Sequence, residues 1–505
     1  MSRKHIIKSA GIIGFATVIS RVLGFIRDII IAKLFGTARY AEAFVVAFRI
    51  PNMLRDLIGE GATNAAFVPV MSEYLVRKKE EFWNVANIIL NILLVLLSLI
   101  TILGIMASPF IVRLIAPGFL SDPEKFNTTV RLTRFLFPYI LLIGLSAYAM
   151  GVLNSLKHFS APAFAPCLLN ISIIICAMIW GESVTGLASG VLIGGILQLC
   201  VQIPVLLKKG FSPFSTGRLL HPAVKEIGIL LIPRILGSCV YQLNIFINTV
   251  LASLSNIVGE GGVAALYYAN RVFQFPLAIF GIAIAQAALP TMSQEALETD
   301  NSNLKKTLSF SLRLVNFIII PSSIGLITLA NPITKVLFER GRFDAYSTQI
   351  TSQALAFYSI GLFSYAGIKI LVTCFYSLKD TFTPVKIAGI SLILNLALNI
   401  LLIFPMGLNG LALSTSLSGI FNFFMLIFVL RRKIGCIDGY RVVVSFLKVA
   451  LASLLMAAIS FALTNLLGIN LFIVILVSFL AYFIAAFVVD VEEAKEFFAW
   501  VLKRR

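Results

Sequence analysis

The sequence predicts an all-α polytopic membrane protein of about 14 transmembrane helices, built as two parallel six-helix repeats plus a C-terminal helix pair. Three observations carry that prediction. Of the 505 residues, 59% are hydrophobic and 13% charged, and the mean hydropathy is +0.96, far from the balance of a soluble domain. Apolar runs of roughly 20 residues recur from end to end, continuous rather than alternating, so helices and not barrel strands satisfy the backbone in lipid. Sliding the chain along itself by about 222 positions brings its two halves into register.

The first span, 8–33, has a basic start and an apolar stretch. Arg21 and Arg27 follow without a small-residue cleavage site, so it reads as an uncleaved helix. It places Arg21, Arg27 and Asp28 in "SRVLGFIRDIIIAK". The second, 41–71, carries Glu42, Arg49, Arg55, Asp56 and Glu60 and repeats the pattern Arg, five residues, Arg-Asp in "RVLGFIRD" and "RIPNMLRD". Pro51 interrupts that helix and frees a carbonyl, while Gly24, Gly59 and Gly61 permit close backbone approach. Spans 84–116, 128–156, 162–181 and 184–207 complete the first half. Within the last of them "GVLIG", 190–194, is a small-residue packing motif.

Spans 225–254, 262–292, 305–338, 346–377, 384–404 and 408–430 form the second half, and 442–467 and 469–489 lie outside the repeat. The eighth holds Arg271 in "YYANRVFQFP", the eleventh Asn395 and Asn399 at i,i+4, the twelfth Thr415. Ser155-Leu156-Lys157 maps onto Ser377-Leu378-Lys379, Pro162 onto Pro384, and Ala47, Arg49 and Gly59 onto Ala269, Arg271 and Gly281. With small gaps, Gly186-Leu187-Ala188 meets Gly410-Leu411-Ala412. Each half has an even number of spans, so both enter the bilayer in one orientation. The expected division is 1–217, 218–435, and 436–505 for the helix pair and tail. With both termini in the cytoplasm, loops and ends on that side hold about 23 Lys and Arg against about 8 opposite, as the positive-inside rule requires.

The net charge of +18 sits in short loops and forms no extended basic face, so nucleic acid is not the partner. Six scattered cysteines without CxxC spacing read as small buried hydrophobes. His5, His158 and His221 stand near span ends without partners at ligand spacing, and no metal site is expected. There is no P-loop, nucleophile elbow or zinc-hydrolase motif. Transport outranks catalysis.

An ionisable residue at membrane depth costs from about 2.5 kcal/mol upward, so such groups usually face a polar interior. At about 100° per residue Arg21 and Asp28 share a face, and Glu42, Arg49, Asp56 and Glu60 form one stripe. Arg27 and Arg55 point to the flanks, where a neighbouring helix or a ligand meets them. Lys33, Arg39, Arg234 and Lys448, near span ends, read as snorkelling or internally paired. Arg21, Arg27, Arg55 and Arg271 outnumber the mid-span carboxylates, and excess guanidinium there suggests a phosphate or pyrophosphate ligand. Arg49 and Arg271, repeat equivalents, offer one arginine from each half. Asn395, Asn399 and Thr415 suit either a cation site or interhelical hydrogen bonding. The alternatives to a phosphate-lipid transporter are a drug or other lipid-sugar exporter, a membrane enzyme acting on a polyprenyl phosphate, and a non-transporting scaffold.

"SRVLGFIRD", "AFRIPNMLRDLIGEGATNAAFVPVMSEY", "APGF", "FPYILLIGL", "SAPAFAPCLLNIS", "YYANRVFQFP" and "LPTMS" resemble, in matching order, the signatures of the MurJ (MviN) lipid II flippases of the multidrug and oligosaccharidyl-lipid exporter superfamily. The resemblance implies a non-enzymatic flippase of the bacterial inner membrane. It would move the undecaprenyl-pyrophosphate-linked peptidoglycan precursor to the outer leaflet by alternating access. Ser20, Arg21, Arg27, Arg55, Glu60 and Arg271 match the family's cavity residues, with Asp28, Glu42 and Asp56 as charge partners, and the final helix pair matches a groove for the polyprenyl tail. Lipid II, membrane lipids and the cell-wall synthesis machinery are the implied partners; no cofactor is implied, with Na+ or the membrane potential as the coupling. Here Glu42 stands for an expected aspartate, Asn270 and Gln274 for acidic neighbours of the arginine, Asp56 for a second basic residue, and Asn399 for an acidic residue of a sodium site.

Overall fold

Continuous apolar runs close their backbone hydrogen bonds within one segment, and the computed structural model is helical accordingly. It describes residues 3–55, 66–212, 221–298 and 300–496, and no strand occurs among them. Its helices are α1 (Arg3–Phe35), α2 (Arg39–Arg55), α3 (Val68–Arg77), α4 (Phe82–Ile115), α5 (Pro123–Leu136), α6 (Pro138–Ser155), α7 (Ser160–Trp180), α8 (Val184–Lys208), α9 (Pro222–Ala252) and the short α10 (Ser255–Val258). There follow α11 (Gly262–Pro276), α12 (Ile282–Glu295), α13 (Ser302–Thr328), α14 (Ala330–Phe338), α15 (Ala345–Ile360), α16 (Leu362–Ser377), α17 (Phe382–Met406), α18 (Leu408–Ile434), α19 (Gly439–Phe461) and α20 (Leu471–Val488).

Several predicted spans are subdivided. Pro138 splits 128–156 into α5 and α6, a π-helical turn at Leu277–Gly281 links α11 to α12, and α15 meets α16 at 44°. Pro51 sits inside α2 without ending it. Among the described residues ten helices are long and apolar enough to cross a membrane, or eleven with the bent pair as one span. The charged helices α1 and α2 fall outside that set. Adding α1, α2–α3 and α9, which carry the first, second and seventh predicted spans, is compatible with 14. The chain is a multi-pass membrane protein.

It divides into two compact units, Met1–Asn256 with Arg340–Phe343, and Ile257–Glu339 with Asp344–Arg505. The repeat puts the boundary at 217/218; the packing keeps α9 with the first unit, where it lies against α3 and α4. In that unit α7 and α8 pack closely: a Cβ on Gly190 would lie 2.9 Å from Ile173 Cα, and one on Gly194 2.9 Å from Leu169 Cα. The "GVLIG" stretch is therefore a packing face. A buried cluster of Phe67, Met71, Phe82, Tyr148 and Val152 joins α3, α4 and α6, with Tyr148 Oη donating to Ala86 O at 2.9 Å. In the second unit Phe317 of α13 packs with Val449 and Ala452 of α19 and Tyr482 of α20, whose hydroxyl donates to Phe317 O at 2.6 Å.

The repeat is written into the backbone. Lys157 and Lys379, matched by sequence, have φ of 60° and 59°. Gly181 and Gly407, which end α7 and α17, have φ, ψ of 54°, −122° and 54°, −128°. Cysteine burial is less uniform than expected. Cys167, Cys176 and Cys374 are buried, but Cys200 and Cys436 are exposed, on the outer face of α8 and in the loop after α18.

Candidate functional site

In the first unit α1 buries Arg27 and Asp28, 7% and 1% exposed. The Arg27 guanidinium donates from Nε and Nη2 to Asp28 Oδ1 at 3.0 and 2.8 Å, and from Nη1 to Asn170 Oδ1 of α7 at 3.0 Å. Asn170 Nδ2 in turn donates to Ser20 O at 3.0 Å and reaches Ser20 Oγ at 3.5 Å. The amide orientation is thus fixed at both ends, and a neutral residue holds the guanidinium in place. Helical spacing separates the faces of Arg27 and Asp28; the long arginine side chain wraps back and joins them. Asn170 is the neighbouring-helix contact that the flank position of Arg27 anticipates. Arg21 is exposed on α1 and makes no ion pair among the described residues.

On α2, Glu42 is buried and pairs with Lys125 of α5, which also lies 4.1 Å from the Phe119 ring centroid. The expected stripe gave Glu42 an arginine partner; the packing of α2 against α5 supplies a lysine instead. Arg49, half-buried, donates to Thr249 Oγ1 and, at 3.3 Å, to Ile245 O, both on α9. Arg55 is half-buried at the end of α2. Asp56 and Glu60 lie outside the described residues.

In the second unit Arg271 of α11 is half-buried. Its Nη2 donates to Tyr267 Oη at 3.0 Å, and the guanidinium carbon lies 5.0 Å from the ring centroid. Beside it Gln274 donates to Asn270 at 2.9 Å, a neutral pair. Asn395 and Asn399 are fully buried; Asn399 donates to Asn395 Oδ1 at 2.9 Å and Asn395 to Ser418 Oγ of α18 at 3.2 Å. Thr415 Oγ1 donates to its own helix at Leu411 O, 2.9 Å. The Asn395–Ser418 bond ties α17 to α18, and no group of three or more His, Cys, Asp or Glu suited to a metal occurs among the described residues.

Near the helix ends, Arg39 pairs with Asp122 at 2.9 Å and with Glu124, and Lys448 donates to Asp490 O at 2.7 Å. Nothing is described of the Arg234 side chain. A cavity of about 790 Å³ in the first unit, lined by Tyr40, Glu124, Asn127, Arg131, Glu182 and Arg342, contains none of the predicted site residues. Sequence reasoning missed Asn170, Lys125, Thr249 and Tyr267 as partners. Only Lys125 left a trace, a cation just before the fourth predicted span.

The family model described as "Lipid II flippase MurJ" matches residues 31–483. The chain is 36% identical over 470 residues to the probable lipid II flippase MurJ of Buchnera aphidicola subsp. Acyrthosiphon pisum, covering 90% of each. It is 37% identical over 428 residues to the lipid II flippase MurJ of Burkholderia cenocepacia, covering 83% of this chain and 82% of that one. A solved structure titled "Lipid II flippase MurJ, inward closed conformation" superposes with a TM-score of 0.81 at 29% identity, covering 94% and 97%. An inward-facing multidrug resistance MATE family transporter of the MOP superfamily shares the fold, with a TM-score of 0.71 at 16% identity over 83% and 96%.

Proposed function

The chain belongs to the MurJ lipid II flippase family, and from that membership we propose how it flips lipid II: arginines on α1, α2 and α11 take the pyrophosphate of the headgroup. The single observation that carries this reading is Arg27, a buried guanidinium fixed by Asp28 and by the Ser20-anchored amide of Asn170. Rigid placement of a planar donor fork favours bidentate contact with phosphate oxygens. Arg21, Arg49 and Arg55 add positive charge in the same unit, and Arg271 supplies a guanidinium backed by an aromatic ring in the other. Asp28 keeps the Arg27 charge partly compensated when no lipid is bound, while Glu42 is taken by Lys125. Glu60 and Asp56 belong to the same expected set.

Alternating access carries the headgroup outward, and binding drives it because ligand charge lowers the energy of the loaded state relative to the empty one. An inside-negative potential favours outward movement of net negative charge by about 2.3 kcal/mol per charge per 100 mV, and we assign coupling to it rather than to Na+. Asn395 and Asn399 offer amides where a cation site calls for carboxylate, and serve to pack α17 on α18. The membrane is the bacterial inner membrane, with both termini cytoplasmic by the charge bias of the loops.

The test is complementation. In a bacterium depleted of its own flippase, the chain restores growth and externally accessible lipid II, whereas Arg27→Ala and Arg271→Ala at equal membrane abundance do not. Full rescue by both variants overturns the assignment.

A further inference from the structure

A non-glycine residue with φ near +60° crowds its Cβ against the backbone. Among the described residues three do so, Lys157 (φ 60°), Lys379 (φ 59°) and Asp490 (φ 61°). Aspartate tolerates this region because its short side chain bonds locally; lysine has no such device. Elsewhere the chain uses glycine for left-handed residues at helix ends, as at Gly36 and Gly435.

The two lysines close identical turns. After α6, Lys157 N donates to Asn154 O at 3.0 Å and His158 N to Leu153 O at 2.8 Å; after α16, Lys379 N donates to Tyr376 O at 3.0 Å and Asp380 N to Phe375 O at 2.9 Å. Those bonds need a left-handed residue and not a lysine; glycine or asparagine would make the same turn with less strain. The strain is carried twice, at repeat-related positions, for a side chain that folding does not require.

Both side chains are exposed and neither forms an ion pair among the described residues. The neighbourhood adds positive charge rather than compensating it. Near Lys157 the Lys209 ammonium lowers the His158 pKa, secondary to burial, and Lys208 is exposed. Next to Lys379 the one carboxylate, Asp380, is taken by Lys433 at 2.6 Å, which leaves Arg431 and Arg432 exposed. Lys386 lies 4.4 Å from the centroid of Phe382, itself 66% exposed, and Arg432 4.3 Å from that of Phe428. Exposed rings topped by cations at the ends of spanning helices fit the headgroup level of a bilayer.

We propose that Lys157 and Lys379 are repeat-related sites, one in each unit, for the phosphate of anionic phospholipids. The inference does not depend on which lipid the protein moves. Full-length protein purified in detergent is titrated with dioleoyl-phosphatidylglycerol, with dioleoyl-phosphatidylcholine and inorganic pyrophosphate as parallel arms. Bound molecules are counted by native mass spectrometry.

Lys157→Gly and Lys379→Gly are each expected to weaken phosphatidylglycerol binding about fivefold, from the attraction of one surface lysine to an anionic leaflet, and the double variant more. Phosphatidylcholine binding stays unchanged. The same variants are expected to raise the Tm, because the strain is relieved, so lost binding cannot be laid to poor folding. Lys→Asn variants serve as a second set that keeps a left-handed residue with a side chain. A higher Tm with unchanged phosphatidylglycerol binding overturns the proposal. A loss confined to pyrophosphate overturns it too, and marks the lysines as sites for a soluble anion.

Discussion

The two units bury polar groups to different ends. In the first, charge sits on helices of the repeat itself: Arg27 with Asp28 on α1, and Glu42 of α2 with Lys125 of α5. In the second, the buried cluster within the repeat is neutral, Asn395, Asn399 and Ser418. Its buried ion pair, Arg313 with Glu493, instead fastens α13 to the segment after α20, with Ser445 of α19 donating to the same carboxylate at 3.1 Å. The backbone of the repeat is conserved between the halves to within a few degrees at Lys157 and Lys379, while the chemistry hung on it has diverged. Fold and side-chain chemistry therefore carry separate information, and the buried charge of the first unit is not a by-product of the architecture.

The sharpest way to break this contrast is at Arg27. Arg27→Ala is expected to abolish growth rescue, but it also strands a buried carboxylate at a cost of about 3–5 kcal/mol. The decisive variant is Arg27→Met with Asp28→Asn, which removes both charges. It should recover most of the stability and still lower lipid II exposure about tenfold or more, the scale of one lost charge-assisted hydrogen bond. Asn399→Ala in the second unit should cost about 1–3 kcal/mol of stability and leave flipping intact. Normal flipping by the double variant would place Arg27 among the packing residues.

The Glu42–Lys125 pair comes next. Glu42→Gln or Lys125→Met alone should destabilise by about 3–5 kcal/mol in thermal melts, and the two together by clearly less, since a neutral pair leaves no buried charge. This pair also marks the limit of what the sequence discloses. Charged residues in apolar spans stand out one by one, so Arg27, Asp28, Glu42 and Arg271 were legible, as were most helix spans and the repeat. Their partners were not. Asn170 is an ordinary polar residue 143 positions from Arg27, and Lys125 precedes its predicted span. Which pairs meet is fixed by how α1 lies on α7 and α2 on α5, and periodicity within one helix does not encode that.

In the second unit two adjacent carboxylates on the segment after α20 meet Arg313 in different surroundings. Glu493 is 1% exposed at the side chain and Glu492 64%. Glu493→Gln should therefore cost about 3 kcal/mol or more, while Glu492→Gln should cost about 0–1 kcal/mol. Equal effects would mean that the segment does not stay docked. Both residues fall in the expected tail, beyond the last predicted span at 469–489, where nothing in the sequence marks a docking contact.

The smallest effect tests the two turns directly, at the repeat-matched position that follows each lysine, His158 against Asp380. Burial raises the Asp380 carboxyl, but hydrogen bonds from Lys433 and from the Thr383 N–H and hydroxyl outweigh it and hold the group at about 2. A carboxyl depressed on folding stabilises at neutral pH and loses that contribution only as pH falls toward about 2. Burial, and then the Lys209 ammonium, lower the His158 pKa from 6.5. That imidazole stabilises while neutral, and its contribution declines as pH drops below about 6.5. Mild acid should therefore loosen the first turn and spare the second. Lys209 and Lys433 close corresponding helices, so His158→Asp should build in the first unit the ion pair of the second. The expected gain is at most about 1 kcal/mol, as for any partly exposed pair, and the acid sensitivity that sets in below about pH 6.5 should disappear. Thermal unfolding of wild type, His158→Asn and His158→Asp across that range is the measurement. If His158→Asn keeps the wild-type pH profile, the titrating group lies elsewhere and the two turns do not differ in their response to acid.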